Sequence, residues 1–270
     1  ATQLGAVSTT NVSSLSTQAF ASLAVPTLNG MSTAQVNALT SSQLQVLTTT
    51  QAAGLGAAQA QGFGSSQLSV LNTDDLSKLS AAAVSSLRSS ALAGLTSTQV
   101  GSLQSTQVAA LTAQQAGGLT GEQTVNLSSN QAKSLAVGVL SGMTTAALSS
   151  MNTTALSSLT ATQLAGLSAT QVGALTTAQL ASLTTTQAAS LSAAQTAGLG
   201  SDLVKGLEAA DIGKLSVAAV ASLTTTAVQV LSSDQLAGLS STQMGALTAA
   251  QVGALTTTQL GTLGTAQSVG

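Results

Sequence analysis

The chain has 270 residues, of which 44% are hydrophobic and 4% charged, with a net charge of −2. There is no Cys, His, Trp or Tyr, which excludes disulfides, thiolate and imidazole metal sites, and thiol catalysis. The charge leaves no basic patch for nucleic acid and no polybasic membrane anchor. The apolar content is too high for charge-driven disorder, yet no apolar run approaches the ~20 residues a bilayer span requires.

One ruler sets the predicted elements. From Val7 every eighth residue is apolar: Leu15, Leu23, Met31 and Leu39, onward through Leu175 and Leu183 to Leu263. The phase never slips, so the expected organisation is one continuous octapeptide-repeat solenoid over residues 1–270, without linker or domain boundary. A second column of mostly Leu and Val stands three residues earlier, from Leu4, Val12 and Phe20 to Val252 and Leu260. The residue after each ruler position is usually Ser or Thr, Gln commonly follows three later, and two small residues precede the next ruler position. An octad therefore reads L-[ST]-x-x-Q-[LV]-small-small.

The Ser/Thr-x-x-Gln step is a capping box: the hydroxyl accepts from the backbone N–H three residues on, and the Gln reaches back to the cap's own N–H. In a helix that starts there, the two apolar residues share one face. The next Ser or Thr opens a new cap and ends the helix after one to two turns. The predicted fold is all-α, a solenoid of very short capped helices, one per octad. The alternative is a β-solenoid of 24-residue coils, kept open by the abundance of Thr and Val. Against it, the apolar spacing alternates three and five where a strand wants two, and Ala, Leu and Gln favour helix. Two buried aliphatic side chains stabilise less than the ordering of eight backbones costs, so an octad folds only by stacking on its neighbours.

Along the chain the Gln position changes in blocks. It holds Asn11, Ala19 and Thr27, then Gln from 35 to 67, then Asp75, Ala83 and Ala91, then Gln from 99 to 131. Val139, Ala147 and Ala155 follow, then Gln from 163 to 195, then Leu203, Asp211, Ala219 and Ala227, and Gln again from 235 to 267. The breaks begin at Asn11, Asp75, Val139 and Leu203, eight octads apart, which marks a 64-residue super-repeat. Nine of the twelve charges lie in or beside the breaks. Two expectations follow: duplication of the eight-octad unit, or break octads sharing one face that contacts another element or subunit.

The segment NTDDLSKLS, Asn72 to Ser80, groups Asp74, Asp75, Ser77 and Lys78, and is expected to be a solvated polar turn. The segment from Gly200 to Leu215 spaces Lys205 from Glu208, and Asp211 from Lys214, by three residues, the pattern of a surface ion-pair ladder. Asp202 and Asp211 are the residues to weigh for calcium, but the spacing of a calcium loop is missing. Glycines such as those of GLGAAQAQGFG occupy the small positions of the octad, so close packing accounts for them rather than a phosphate loop. Serine is plentiful without a histidine base. The sequence therefore assigns no catalytic, cofactor-binding or metal residue, implies no cofactor, and argues against an enzyme.

The octads, as in LTTAQLASLTTTQ, resemble those of low-complexity bacterial cell-surface and secreted proteins built from L-T-x-x-Q-[VIL]-x-x repeats. The resemblance implies secretion and an adhesive or scaffolding role. A likeness to the first helix of transcription-activator-like effector repeats stops at that helix, and DNA binding is not implied. The expected partner is the chain itself, joined end to end through open solenoid ends, with no nucleic acid and no membrane insertion. ATQLGAVSTT lacks the positive and apolar regions of a signal peptide, and is compatible with a mature end left by cleavage. The functions to be expected are an extracellular structural protein that self-assembles into a filament or surface layer, a passive stalk or spacer of an adhesin, or a peptide- or glycan-binding solenoid.

Overall fold

A computed structural model describes residues 7–263; Leu4 of the second column and Gln267 of the last Gln block lie outside them. The described residues form 32 helices of four to six residues, one per octad, and no strands. The all-α expectation holds and the β-solenoid does not.

Each helix is built locally as the octad chemistry dictates. Thr176, in extended conformation, caps Thr177–Ala181: its hydroxyl accepts from the Gln179 N–H at 3.1 Å, and Gln179 Oε1 accepts from the Thr176 N–H at 2.8 Å. The same reciprocal pair closes the helices that begin at Thr33, Ser41 and Thr49, and those of the later Gln blocks except Ser105–Ala109, where Gln104 stands at the cap and only its N–H is bonded, to Gln107 Oε1. At the other end the ruler residue donates back three positions, as Leu183 N–H does to the Leu180 carbonyl at 3.1 Å. Its own backbone is extended where it forms the C-cap, as at Leu55 (φ −66°, ψ 125°), and the next Ser or Thr is extended too, as at Thr176. Two consecutive extended residues therefore turn the chain at every such corner. No described residue has positive φ, glycines included. Pro26 falls in the first turn of Val25–Leu28, where no helical N–H partner is needed.

Within each unit, a helix packs on the third helix after it. Thr49–Gly54 lies against Thr73–Lys78, Ala57–Ala60 against Ala81–Ser86, and Ser65–Leu68 against Ser89–Leu92. Three octads thus make one turn of the solenoid. The coil length raised for the β alternative is the true one, but helices fill it. Both apolar columns face inward, save for Val252 and Leu260 of the second, which are 47% and 49% exposed. Phe20, Leu68, Leu140, Leu164 and Leu180 of the second column are fully buried, and the ruler residues Phe63, Leu127 and Leu175 are nearly so. The chain groups into two compact units, Ala1–Ser150 and Met151–Gly270, each with this arrangement.

The three-helix turn corrects the expectation that break octads share one face. A break of three consecutive octads, such as that at Asp75, Ala83 and Ala91, is one entire turn and so occupies all three faces. Its residues are also as buried as the glutamines they replace.

The small positions are contact points between coils. A Cβ on Gly94 would stand 2.3 Å from the Ser65 carbonyl oxygen, and one on Gly142 would stand 2.6 Å from that of Ala113. Both carbonyls belong to the start of the helix one coil below. At two serines in this place the hydroxyl uses the corresponding oxygen, Ser222 Oγ donating to the Ala193 carbonyl at 2.8 Å and Ser182 Oγ to that of Thr153 at 3.5 Å, whereas Ser86, Ser102 and Ser134 donate within their own helices. Gly94→Ala should therefore destabilise the first unit by roughly 1–3 kcal/mol, because the obstruction is backbone and cannot swing aside. Gly138, within Val137–Gly142 and with nothing within 4 Å of its missing Cβ, is the control. There Ala should stabilise by about 0.5–1 kcal/mol through helix propensity. Denaturant unfolding of the two variants checks the contrast.

Candidate functional site

The most elaborated polar feature is a bracket between coils, built from the Gln of each capping box. Gln123 Oε1 accepts from the Thr120 N–H at 2.9 Å, while Nε2 donates to the carbonyls of Leu92 and Leu95, both at 2.7 Å. Leu92 ends the helix one coil earlier and its carbonyl already accepts from the Leu95 N–H at 3.0 Å, while the carbonyl of Leu95, at the corner that follows, accepts no backbone bond among the described residues. One amide thus completes the start of its own helix and the end of another. The offsets of 28 and 31 residues repeat at Gln43, Gln99, Gln107, Gln187, Gln195, Gln235 and Gln259. These glutamines are buried, and with both ends bonded their burial is stabilising rather than costly. Sequence reasoning finds the capping half of this role. The bracket half needs the coil length, which sets where the acceptors on the preceding coil fall.

Where the bracket is absent, other groups take over some of its acceptors. Ala91 replaces Gln in its octad, and the corresponding ruler carbonyl on the coil before it, that of Phe63, accepts instead from the Arg88 guanidinium at 3.1 Å. Arg88 is the chain's one arginine. Its placement beside a break, which in the sequence is only charge clustering, therefore has a specific bonding partner. At the Ala219 octad, Thr196 Oγ1 donates to the Ala219 carbonyl at 2.9 Å and lies 2.7 Å from Ser222 Oγ, tying the two coils together.

The charged segments differ from expectation. Asn72 to Ser80 is not a solvated turn: Thr73–Lys78 is a helix, and Asp75 stands in its Gln position with 3% exposure. Ser77 Oγ donates to the Asp74 carbonyl at 2.7 Å, so it has no base, and Lys78 is exposed. Burial pushes the Asp75 carboxyl up; the Asn72 amide, 3.4 Å from Oδ2, opposes this and Asp74 adds to it. In the second charged segment the ion pair joins Lys205 to Asp202 at 3.0 Å, on exposed side chains, rather than to Glu208. Such a pair adds little stability. Asp211 belongs to no surface ladder. It is 2% exposed, in the Gln position of Ala209–Ile212, and its Oδ2 has no hydrogen-bond partner. Desolvation raises its pKa, Glu208 raises it further, and a hydrogen bond with the Glu208 backbone opposes both. Asp202 is exposed on the surface while Asp211 is buried, so the pair weighed for calcium does not share one environment. Among the described residues no three His, Cys, Asp or Glu side chains are grouped to hold a metal ion, and no helix is long and apolar enough to cross a membrane.

An open polar groove crosses several coils of the first unit, lined among others by Asn37, Gln61, Ser86, Arg88 and Gln114. Asn37 Nδ2 donates to the Gly62 carbonyl at 3.2 Å and Ser89 Oγ to that of Gln114 at 2.9 Å, so part of its polar lining is already engaged between coils.

No curated protein matches the chain. A family model described as the ALTTAQ repeat matches residues 204–241, and the hexapeptide of that description itself stands at residues 174–179. The chain is a repeat protein of helical solenoid architecture, and the segment from 204 to 241 is similar to the ALTTAQ repeat.

Proposed function

We propose that the chain is a non-catalytic, extracellular structural protein that self-assembles into a filament or surface layer. The observation that carries this reading is the bracketed coil interface. Each Gln coil presents amide donors on one side and bare helix-end carbonyls on the other. Such an interface is heterologous, the type that propagates rather than closes on itself. Coil stacking of this kind can also join chains; the first described coil, with Asn11, Ala19 and Thr27 at the bracket position, would stack through its apolar and small positions instead of glutamine amides. The low charge adds to this, since little like-charge repulsion opposes association. The bacterial cell-surface resemblance of the octads supports an extracellular setting.

Negative-stain microscopy and sedimentation of the purified chain, at neutral pH and moderate salt, test the proposal. Filaments or sheets are expected. A monodisperse monomer would overturn self-assembly and favour the stalk reading, in which the same brackets simply hold a spacer together. The open polar groove favours a further reading as a peptide- or glycan-binding surface. With no Trp or Tyr in the chain it offers no aromatic stacking platform, and glycan and peptide arrays without hits would remove it.

A further inference from the structure

At two octads the bracket position holds an acid in place of an amide. Asp75 and Asp211 occupy the place of Gln, and both are buried. An ionised carboxylate can accept the cap N–H as Gln Oε1 does, but it has nothing to donate to the coil before it. At the corresponding ruler position those coils present the carbonyls of Leu47 and Leu183, which accept no hydrogen bond among the described residues. The Asp211 carboxyl has its hydrogen bond on the cap side, with the Glu208 backbone, and its Oδ2 is left unpartnered. At Asp211 a buried unpaired oxygen thus belongs to the same bracket position as a buried unpaired acceptor, and a single proton satisfies both; at Asp75, whose Oδ2 accepts from the Asn72 amide at 3.4 Å, the buried unpaired group is the Leu47 carbonyl alone.

We propose that Asp75 and Asp211 are acid-operated brackets. With the carboxyl protonated, its O–H supplies to the Leu47 or Leu183 carbonyl the hydrogen bond that Gln Nε2 supplies elsewhere, and with the carboxyl ionised the coils are unlatched there. The surroundings favour the proton. The helices packed on Thr73–Lys78, which are Thr49–Gly54 and Ser97–Ser102, carry no charge, so only Asp74 and Lys78 of its own helix bear on Asp75. Asp211 meets Glu208 and Lys214 on its own segment and Asp234 on Ser233–Ala237, while Thr185–Ala189 on its other side is uncharged. Carboxylates outnumber the one ammonium there.

The sign follows from linkage. Both carboxyls are raised in the folded chain, so the folded state holds these protons more tightly than the unfolded state. The stabilisation is fully present below the ordinary Asp value of about 3.9 and is lost as pH rises through the raised folded value. Asparagine at both positions keeps the shape and donates at every pH.

Thermal unfolding of the wild type and of the double variant Asp75→Asn/Asp211→Asn, at pH 4.5 and 7.5, tests the proposal. The variant should have the higher Tm at pH 7.5, and its lead should shrink by about 4 °C at pH 4.5. A lead that is equal at both pH values overturns the proposal. So does calcium chloride closing the gap at pH 7.5, because a cation rather than a proton would then fill the slot. Should the variant not fold, carboxyl-carbon NMR titration of the wild type decides. Asp75 and Asp211 should titrate above the ordinary Asp value of about 3.9, and titration at that value overturns the proposal.

Discussion

Gln123→Ala is expected to destabilise the first unit by about 2–5 kcal/mol, several times the effect of an ordinary surface substitution. The Thr120 N–H and the Leu95 carbonyl lose their bonds at 2.9 and 2.7 Å, the second acceptor at Leu92 keeps only its helical donor, and the slot the amide filled becomes a void. Each buried polar group left unpaired costs about 1–3 kcal/mol. Alanine is native at Ala83, Ala91 and Ala147, but there three consecutive octads change together and the whole coil settles without the amides. A single replacement inside a Gln block has no such accommodation. Urea unfolding followed by far-ultraviolet circular dichroism measures the loss. Gln123→Glu separates the two halves of the role, since it keeps the oxygen that caps the helix and removes the donor that reaches the preceding coil. A variant as stable as the wild type at pH 7.5 would show that the inter-coil half contributes little.

Leu175→Asp should unfold the second unit at 25 °C or lower its stability by more than about 4 kcal/mol. Leu175 is 3% exposed in the inward ruler column, and a carboxylate placed there has neither water nor a counter-charge. The substitution also removes an aliphatic side chain that neighbouring coils share, and one octad cannot hold its shape without them. Loss of the helical signal, or a shift of several degrees in Tm, is the readout. An unchanged melting curve would refute the inward orientation of the ruler column.

These two variants separate what each level of description contributes. The helix at Thr177–Ala181 is legible in the sequence because its determinants lie within one octad: Thr176 as cap, Gln179 three residues on, and Leu180 and Leu183 on one face. The inward columns are legible for the same reason. The glycines are legible as small contact positions, since Gly94 and Gly142 fall on the same octad place. Reasoning across the coil is where the sequence misleads. Asp75 and Asp211 resemble solvated charges because their type is usually exposed, yet they occupy a place that the coil buries whatever residue fills it. Arg88 reads as part of a charge cluster because the Phe63 carbonyl that it bonds belongs to the preceding coil, beyond any local window.

The sequence by itself determined the unit: an eight-residue helix-and-turn with its caps, its two buried columns and its small contact positions. It did so because each of those terms acts over four residues or fewer. Only the tertiary structure decided that three units close a turn, and hence that every break spans at least a full turn rather than one face. It also decided which carbonyls of the preceding coil each bracket glutamine meets. That choice depends on the angle each extended Leu–Ser/Thr corner imposes and on which coil separation lets the glycine and serine positions meet the backbone below, and no single octad contains that information.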